Sequence, residues 1–287
     1  MNPVYYLLRV AGFFVALFPL NFFYPLSTVL SWFTGAVFGY RQEVVMGNLR
    51  RSFPEKSEKE LKQITRKFYQ NFTDTIVEIF KQISLNKNLI PKRIKLKNPE
   101  ILNQYHKEGK SVIAIAGHYC NWEWLAAVLP AITPYQSVAV YRPLTSKVIN
   151  KIMLRIRSIN NLDLTPMASI YRYLKTRKNP VLTILVADQS PQPEFAYWTT
   201  FLNQDTAVFT GPEKLAKATG HVVVFLAMQK ERRGRYSVTV QELSADPASE
   251  LAFAITEMHV RALENQIKAA PEFWLWSHKR WKHNRPE

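Results

Sequence analysis

The composition excludes several classes of protein before any motif is considered. The chain has 287 residues, of which 47% are hydrophobic, so it is long and apolar enough to bury a full core and is not expected to be disordered. It carries 38 Lys and Arg against 22 Asp and Glu, a formal net charge of +16, which indicates an anionic partner: a lipid surface, a nucleic acid or an acidic protein. The single cysteine, Cys120, excludes an intramolecular disulfide and a cysteine-based zinc cluster, and favours a reduced, cytoplasmic environment.

A long apolar run dominates the N-terminus. No residue from Val10 to Tyr40 is charged, and the run is long enough for a helix to span a bilayer. Pro19 and Pro25 interrupt it, so two shorter helices lying in the membrane interface are an alternative. We therefore expect residues 1–40 to form a membrane anchor, either one helix or a helical hairpin, with a buried hairpin of a soluble core as the other interpretation.

Basic residues on either side of this run predict its orientation. Arg9 precedes the run, whereas Arg41, Arg50 and Arg51 follow it closely. Because cytoplasmic flanks of membrane segments carry the excess of basic residues, this asymmetry places the remaining body, residues 41–287, on the cytoplasmic face.

The rest of the chain alternates between helical and strand patterns. Ser57 and Glu60 resemble a capping box within a helical region at 41–90, whose apolar residues recur at helical spacing. Further helices are expected at 121–129, 148–159, 211–219 and 250–269, and strands at 111–116, 137–141 and 181–187, with a hairpin of 221–228 and 236–240 around Gly234. Strands that alternate with helices predict an α/β fold, with a mixed sheet flanked by helices.

Polar side chains follow three of the proposed strands at the point where each strand ends. His118, Arg142 and Asp188 come directly after strands that are otherwise apolar. In α/β sheets, ligands bind beyond the carboxyl ends of the strands. We therefore expect these three side chains to belong to one site.

The segment 117–123, with the sequence Gly-His-Tyr-Cys-Asn-Trp-Glu, is the central candidate for catalysis. His118 and Glu123 are five residues apart, a spacing that does not place both side chains on one face of an ideal helix. They can meet only if His118 lies in a loop and Glu123 lies in the first turn of a helix that Asn121 caps. There the carboxylate would orient the imidazole, and the second ring nitrogen would take a proton from an attacking hydroxyl.

Other interpretations of these residues stay open. Cys120 would need its own oriented base to act as a nucleophile, and a zinc-binding helix would need two histidines at a spacing of four. A histidine near a glutamate is also often structural. Trp274, Trp276 and Trp281 among basic residues are compatible with stacking on a nucleic acid and at least as well with a membrane interface.

The ordered set of motifs resembles the bacterial lipid A biosynthesis acyltransferase family, the late lauroyl and myristoyl transferases. The hallmark of that family is a histidine followed, after four residues, by an acidic residue, which here are His118 and Glu123. Related glycerolipid acyltransferases have aspartate at the second position, so the glutamate favours the lipid A branch. Further blocks agree in order along nearly the whole chain, at 48–54, 141–143, 188–189, 201–215 and 276–281.

The resemblance implies an enzyme with a glycerolipid-acyltransferase-like fold at the cell inner membrane. It would move an acyl group from a thioester, usually on acyl carrier protein, to a hydroxyl of a lipid A precursor in lipopolysaccharide biosynthesis. It implies no metal and no redox cofactor, and a nucleic acid is not expected as a partner. An acyltransferase acting on another membrane lipid, such as a glycerophospholipid, an aminolipid or a glycolipid, is the alternative, and a non-catalytic basic binding protein is a second.

The resemblance also implies roles for individual residues. Carried over by position, His118 is the general base and Glu123 is the carboxylate that orients it. Arg142 would bind a phosphate of the acceptor or the phosphopantetheine of the donor. The residues expected to contact substrate are Asn121, Arg142, Asp188 and Gln189.

A basic amphipathic helix after Arg142 is a candidate for docking the acidic carrier protein. Its basic residues are Lys147, Lys151, Arg155 and Arg157. A helix of this kind is equally typical of one that lies on anionic lipid.

Overall fold

The structure, a computed structural model, describes residues 17–82, 90–143 and 145–285. The first part of the predicted anchor, residues 1–16, lies outside the described residues, as does the end of the predicted helical region, 83–89. The side chain of Lys147 also lies outside the described part of the chain.

The N-terminal part forms a layer of helices. Helix α1 spans Leu20–Trp32 and continues into a π-helical turn at Phe33–Val37, α2 spans Gln42–Ser52 and α3 spans Glu58–Gln82. The predicted capping box is confirmed, since the carboxylate of Glu60 accepts a hydrogen bond of 2.8 Å from the backbone N–H of Ser57. The single helical region predicted at 41–90 is broken between α2 and α3, where Pro54 cannot continue a helix.

Helix α1 has 13 residues, and the π-helical turn that continues it has five. Among the residues that the structure describes, no helix combines the length and the apolar character that a membrane span requires. The expectation of a spanning helix is therefore not met within these ranges.

One face of α1 packs against α3, and the two helices run antiparallel to each other. Tyr24 Oη donates to Glu78 Oε1 at 2.9 Å, and Ser27 Oγ donates to Asp74 Oδ1 at 2.7 Å. The other face, together with Phe18 just before the helix, leaves large apolar side chains in contact with solvent: Phe18, Phe22, Leu26, Val29 and Trp32. We call this exposed set the α1 apolar face.

A seven-stranded mixed sheet forms the centre of the described chain, in the order β1-β9-β8-β2-β5-β3-β4. All neighbouring strands are parallel except β8 and β9, which form the predicted antiparallel hairpin. The strands are β1 (Ile94–Leu96), β2 (Val112–Ala116), β3 (Gln136–Tyr141), β4 (Asp163–Pro166), β5 (Val181–Val186), β8 (Val222–Arg232) and β9 (Arg235–Ser244). A separate hairpin consists of β6 (Tyr197–Phe201) and β7 (Gln204–Val208).

Helices flank this sheet, as the alternating pattern predicts. They are α4 (Glu100–Lys107), α5 (Trp122–Ile132), α6 (Lys147–Arg157), α7 (Ile170–Lys175), α8 (Gly211–Thr219) and α9 (Ala254–Ala269). Strand β2 lies between β5 and β8, and all five of its residues are buried. Residues that follow β2 and β5 are therefore placed by the best-packed part of the molecule.

Two predicted helix boundaries are corrected by the structure. Helix α5 runs on to Ile132 through Pro130, because the missing N–H of a proline near the last turn interrupts few hydrogen bonds. The last helix begins at Ala254 rather than at residue 250, because Phe253 has a left-handed backbone with φ of 66°. The buried carboxylate of Glu213 accepts hydrogen bonds from the N–H groups of Phe253 and Thr256 and so fixes this start.

Candidate active site

Two neighbouring parallel strands bring His118 and Asp188 together. Ala116, at the end of β2, pairs with Val186, at the end of β5, and each functional residue follows two positions later. Nδ1 of His118 lies 2.5 Å from Oδ1 of Asp188, and the backbone N–H of His118 donates to Oδ2 at 2.8 Å. The prediction that the two residues belong to one strand-end cluster agrees with this geometry.

Asp188 is a buried carboxylate with three donors. Besides the ring and the backbone of His118, Nε1 of Trp274 donates to Oδ2 at 2.7 Å. Burial by itself would raise the pKa of Asp188, but the charge of His118 and these hydrogen bonds outweigh it and lower the pKa to about 2. The carboxylate is therefore ionised at neutral pH and accepts the Nδ1 proton of the imidazole.

This arrangement leaves Nε2 of His118 as the nitrogen that faces outward. When Nδ1–H of the neutral ring donates a hydrogen bond to Asp188, Nε2 carries the lone pair that can take a proton. The amide nitrogen of Gln189 lies 3.4 Å from Nε2, and the ring of Trp122 stands edge-on with its centroid 5.1 Å away. The side chain of His118 is 18% exposed, so a substrate hydroxyl can reach it.

Glu123 holds a different partner from the one that the spacing predicts. It lies in the first turn of α5, and its two carboxylate oxygens accept hydrogen bonds of 2.8 and 2.5 Å from Arg157 on α6. The carboxylate on the imidazole is instead that of Asp188, because the next parallel strand meets His118 directly whereas the first turn of α5 faces α6. Burial would lower the pKa of Arg157, but its bonds to Glu123 outweigh this and raise it.

The loop of residues 117–121, which we call the motif loop, is fixed by the segment after α9. The N–H of Cys120 donates to the carbonyl of Phe273 at 3.0 Å, and the N–H of Leu275 donates to the carbonyl of His118 at 3.1 Å. Cys120 adopts a left-handed backbone, with φ of 51°, and this bend leads the chain into α5. Burial raises the pKa of the Cys120 thiol, so Cys120 is poorly suited to act as a nucleophile.

Asn121 has a structural position rather than an exposed one. Its side-chain oxygen caps α5 by accepting from the N–H of Trp124 at 3.0 Å, as predicted. Its amide nitrogen donates to Oε2 of Glu78 at 2.8 Å, and the whole residue is buried. Both polar groups are occupied within the protein, so the expected contact of Asn121 with substrate does not fit this geometry.

Glu78, which sequence analysis missed, connects the N-terminal helices to the motif loop. This fully buried carboxylate accepts hydrogen bonds from Tyr24 on α1, from Tyr236 at 2.6 Å and from the N–H of Gly234 at 3.1 Å, in addition to Asn121. Burial raises its pKa, and the hydrogen bonds from Tyr236, Asn121 and Tyr24, together with the charge of Lys230, oppose this effect. The partners are far apart in sequence, so no local pattern could have indicated this role.

Arg142 lies at the end of β3, which is the strand next to β5. It is exposed and belongs to the same edge of the sheet as His118 and Asp188, one strand further along. Its predicted contact with a phosphate stays a prediction. On α6, Lys151 and Arg155 are exposed, but the guanidinium of Arg157 is committed to Glu123 and is not available to steer a carrier protein.

The aromatic residues near the C-terminus are not an exposed patch. Trp274 and Trp276 are buried, and their rings meet nearly perpendicularly with centroids 4.7 Å apart. Nε1 of Trp281 donates to Thr206 on β7 at 2.7 Å. These contacts make the segment a support for the motif loop, and they do not fit its interpretation as a stacking surface for nucleic acid.

The fold and the site define an α/β enzyme with a histidine–carboxylate pair at the carboxyl ends of two parallel strands. The model of the bacterial lipid A biosynthesis acyltransferase family matches residues 2–283, and the chain belongs to this family. It is also similar to the lipid A biosynthesis lauroyltransferase of Escherichia coli (strain K12), with 21% identity over 249 residues that cover 86% of this chain and 80% of the relative. The chain is therefore an acyltransferase of lipid A biosynthesis.

Proposed function

We propose that this acyltransferase moves a fatty acyl group from an acyl thioester, carried by acyl carrier protein, to a hydroxyl of a lipid A precursor. The observation that supports it is the His118–Asp188 pair, in which Nδ1 of the imidazole faces the buried carboxylate and Nε2 is left for a substrate at the carboxyl ends of β2 and β5. A base held in one tautomer by a buried carboxylate suits the activation of a hydroxyl.

The proposed reaction is a direct transfer without an acyl-enzyme. Nε2 of His118 removes the proton of the acceptor hydroxyl while the oxygen forms a bond to the thioester carbonyl carbon. The resulting tetrahedral oxyanion collapses, the C–S bond breaks, and the imidazolium returns the proton to the departing thiolate. Asp188 stabilises the transient imidazolium, and Gln189 is placed beside the reacting nitrogen.

Glu123 and Arg157 have a positioning role in this proposal. Their ion pair fixes the start of α5 to α6 and thereby holds the residue next to Glu123, Trp122, against the imidazole. Arg142 remains the proposed contact for a phosphate of the donor or acceptor. The exposed Lys151 and Arg155 on α6 are the proposed contacts for the acidic carrier.

We also propose that the protein acts at the cytoplasmic face of the inner membrane, with the α1 apolar face lying in the interface. Phe22, Leu26 and Trp32 are each more than half exposed, which is unusual for contiguous apolar side chains that face only water. Replacing Phe22, Leu26 and Val29 by Ser should move the full chain from vesicles of anionic lipid into the supernatant. Unchanged sedimentation with vesicles would contradict this part of the proposal.

A reconstituted assay tests the proposed reaction. The full chain is incubated with acyl carrier protein that is loaded with a defined fatty acid. Each reaction also contains one acceptor: a lipid A precursor, a glycerophospholipid or an aminolipid. Mass spectrometry should detect one added acyl group on the lipid A precursor alone, and none with the His118→Ala variant. Transfer only to one of the other acceptors would overturn the proposed substrate, while its loss in the variant would still support the proposed base.

A further inference from the structure

A large basic cleft lies between α3 and the tip of the β8–β9 hairpin. Its volume is about 1000 Å³, and its walls also include parts of α1, α2 and the segment after α9. We call it the α3 cleft, and the lining residues that matter here are Trp32, Lys62, Arg66, Asn71, Arg232 and Phe273. The reaction proposed above uses none of these side chains.

The lining of the α3 cleft has an excess of positive charge. Among the described residues that line it, seven are basic and three are acidic. Two of the acidic residues pair with cations of this set, and the third, Glu231, pairs with Lys97 outside the cleft at 3.4 Å. Asp74 pairs with Lys230 at 2.9 Å and with Arg233 at 3.0 Å, and Glu272 lies 3.7 Å from Lys67.

Three other cations of the cleft have no acidic partner of this kind among the described residues. Lys62, Arg66 and Arg232 are exposed, and within the part of the chain that the structure describes none of them takes part in a side-chain hydrogen bond or an ion pair of 4.0 Å or less. Two guanidinium groups and one ammonium group around a concave space match a phosphate group, which offers several oxygens and a negative charge. The cleft is therefore suited to a phosphate-bearing ligand.

The walls of the cleft indicate that this ligand is an amphiphile. Trp32 and Phe273 contribute apolar surface, and Trp32 is 59% exposed and belongs to the α1 apolar face. If that face lies in the membrane interface, the cleft opens at the depth of lipid headgroups. Lys62 and Arg66 also line a shallow surface depression together with Lys59, which is exposed and does not line the cleft itself.

A much smaller cavity, with a volume of about 10 Å³, adjoins the α3 cleft on the side of the motif loop. The two cavities share Asn71, Lys230, Glu272 and Phe273, and the smaller one is also lined by Cys120 and Trp122. The ring of Trp122 in turn contacts the ring of His118. We propose that the α3 cleft binds the phosphate-bearing headgroup of the lipid acceptor, with Lys62, Arg66 and Arg232 as its phosphate contacts.

This inference rests on the proposed function, and steady-state kinetics on the full chain test it. The variant Lys62→Gln/Arg66→Gln/Arg232→Gln should raise the KM for a phosphorylated acceptor at least about tenfold, because charge-assisted hydrogen bonds are lost. Its kcat should stay within about twofold, and its KM for the acyl carrier protein thioester should not change. The matched control is Lys59→Gln, which removes a charge from the same helix and should leave all constants unchanged.

The acceptor supplies a second arm of the experiment. Enzymatic removal of the phosphate should raise the KM of the wild type for the acceptor by a similar factor. It should not raise the acceptor KM of the triple variant any further. A raised KM for the thioester with an unchanged acceptor KM would show that the cleft docks the carrier, and unchanged constants for both would exclude any substrate role. Either result overturns the inference.

A binding measurement separates failure of this inference from failure of the proposed function. Sedimentation of the full chain with vesicles that contain the phosphorylated or the dephosphorylated glycolipid needs no turnover. Preference for the phosphorylated lipid in the wild type, lost in the triple variant, would support the cleft even if no acyl transfer were detected. Equal loss of binding to vesicles of an anionic phospholipid would assign the cleft to bulk membrane lipid and overturn its assignment to the acceptor.

Discussion

The end of β5 and the first turn of α5 each place a buried carboxylate close to the motif loop, and the two carboxylates hold different partners. Asp188 is hydrogen-bonded to the imidazole of His118, a group that can accept and donate a proton in catalysis. Glu123 is bonded through both oxygens to a guanidinium, which stays charged under all ordinary conditions. The first pair can take part in proton transfer, whereas the second can only fix geometry.

Burial sharpens this difference. The side chain of Asp188 is 4% exposed and that of Glu123 is 6% exposed, so both carboxylates need compensating partners. His118, the partner of Asp188, is 18% exposed and keeps one ring nitrogen available. Arg157, the partner of Glu123, donates two hydrogen bonds to it. The two carboxylates are therefore similarly buried, and their partners make the difference. The partner of Asp188 can take part in proton transfer, whereas the partner of Glu123 can only fix geometry.

The largest effect is expected from removing the imidazole. His118→Ala should lower kcat by on the order of 100-fold or more, because general base catalysis is lost. The circular dichroism spectrum should stay close to the wild type, while the urea midpoint should fall, because the buried carboxylate of Asp188 loses the ring but keeps the backbone N–H of residue 118 and Nε1 of Trp274 as donors. His106→Ala on α4, a histidine away from the motif loop, is the matched control. Near-normal turnover in a folded His118→Ala protein would contradict the proposed mechanism.

The next effect distinguishes the two carboxylates directly. Asp188→Asn keeps the shape of the side chain but removes the charge that holds the tautomer and stabilises the imidazolium. It should lower kcat by about 10- to 100-fold, within the range that general base catalysis contributes, with little change in the KM for the thioester. Turnover within twofold of the wild type would make Asp188 a purely structural residue.

Glu123→Gln should act mainly on stability. It leaves the partly buried guanidinium of Arg157 without its anion, which should lower the free energy of unfolding by about 1–3 kcal/mol, measured by urea denaturation. The kcat should fall by less than tenfold. Adding Arg157→Gln should recover part of the lost stability, because the unpaired charge is then removed. A loss of kcat as large as that of Asp188→Asn would restore Glu123 as the partner of the base.

Sequence patterns predicted the elements that depend on neighbouring residues. The β8–β9 hairpin around Gly234, helix α8 at Gly211–Thr219 and the capping box at Ser57 are confirmed, since turn residues and caps act locally. Strand β1 has three residues and β4 has four, too few for any alternation to be recognised. Their pairing with β9 and β3 is decided by the rest of the sheet.

The same division holds for the site. The placement of His118, Arg142 and Asp188 at strand ends is predictable from the sequence, because an apolar run that stops at a polar residue is a local signal. The partner of each carboxylate was not visible. It depends on β5 lying next to β2 and on α6 reaching Glu123, and contacts of this kind join residues that are 34 to 70 positions apart.

The smallest effect expected is an acid-dependent change in stability that belongs to Asp188. Its pKa is about 2 in the folded chain against an ordinary 3.8, so folding favours the ionised form. The resulting stabilisation is complete above about pH 4 and is lost as the pH falls toward 2, because the unfolded chain takes up the proton first.

Wild type and Asp188→Asn should therefore differ in unfolding free energy by about 1 kcal/mol less at pH 3 than at pH 5. Burial lowers the pKa of His259 and His278 to about 4, and the charge of Asp188 opposes this effect, so the change between pH 5 and pH 3 reports Asp188 together with these two histidines. Groups that Asp188 does not influence are common to both proteins and cancel in the difference. Urea denaturation at the two pH values measures it, and Glu123→Gln/Arg157→Gln, in which Asp188 is intact, should follow the wild type. A difference between wild type and Asp188→Asn that stays constant from pH 5 to pH 3 would show that His118 and Trp274 do not hold Asp188 in its ionised form, and the distinction between the two carboxylates would then rest on geometry alone.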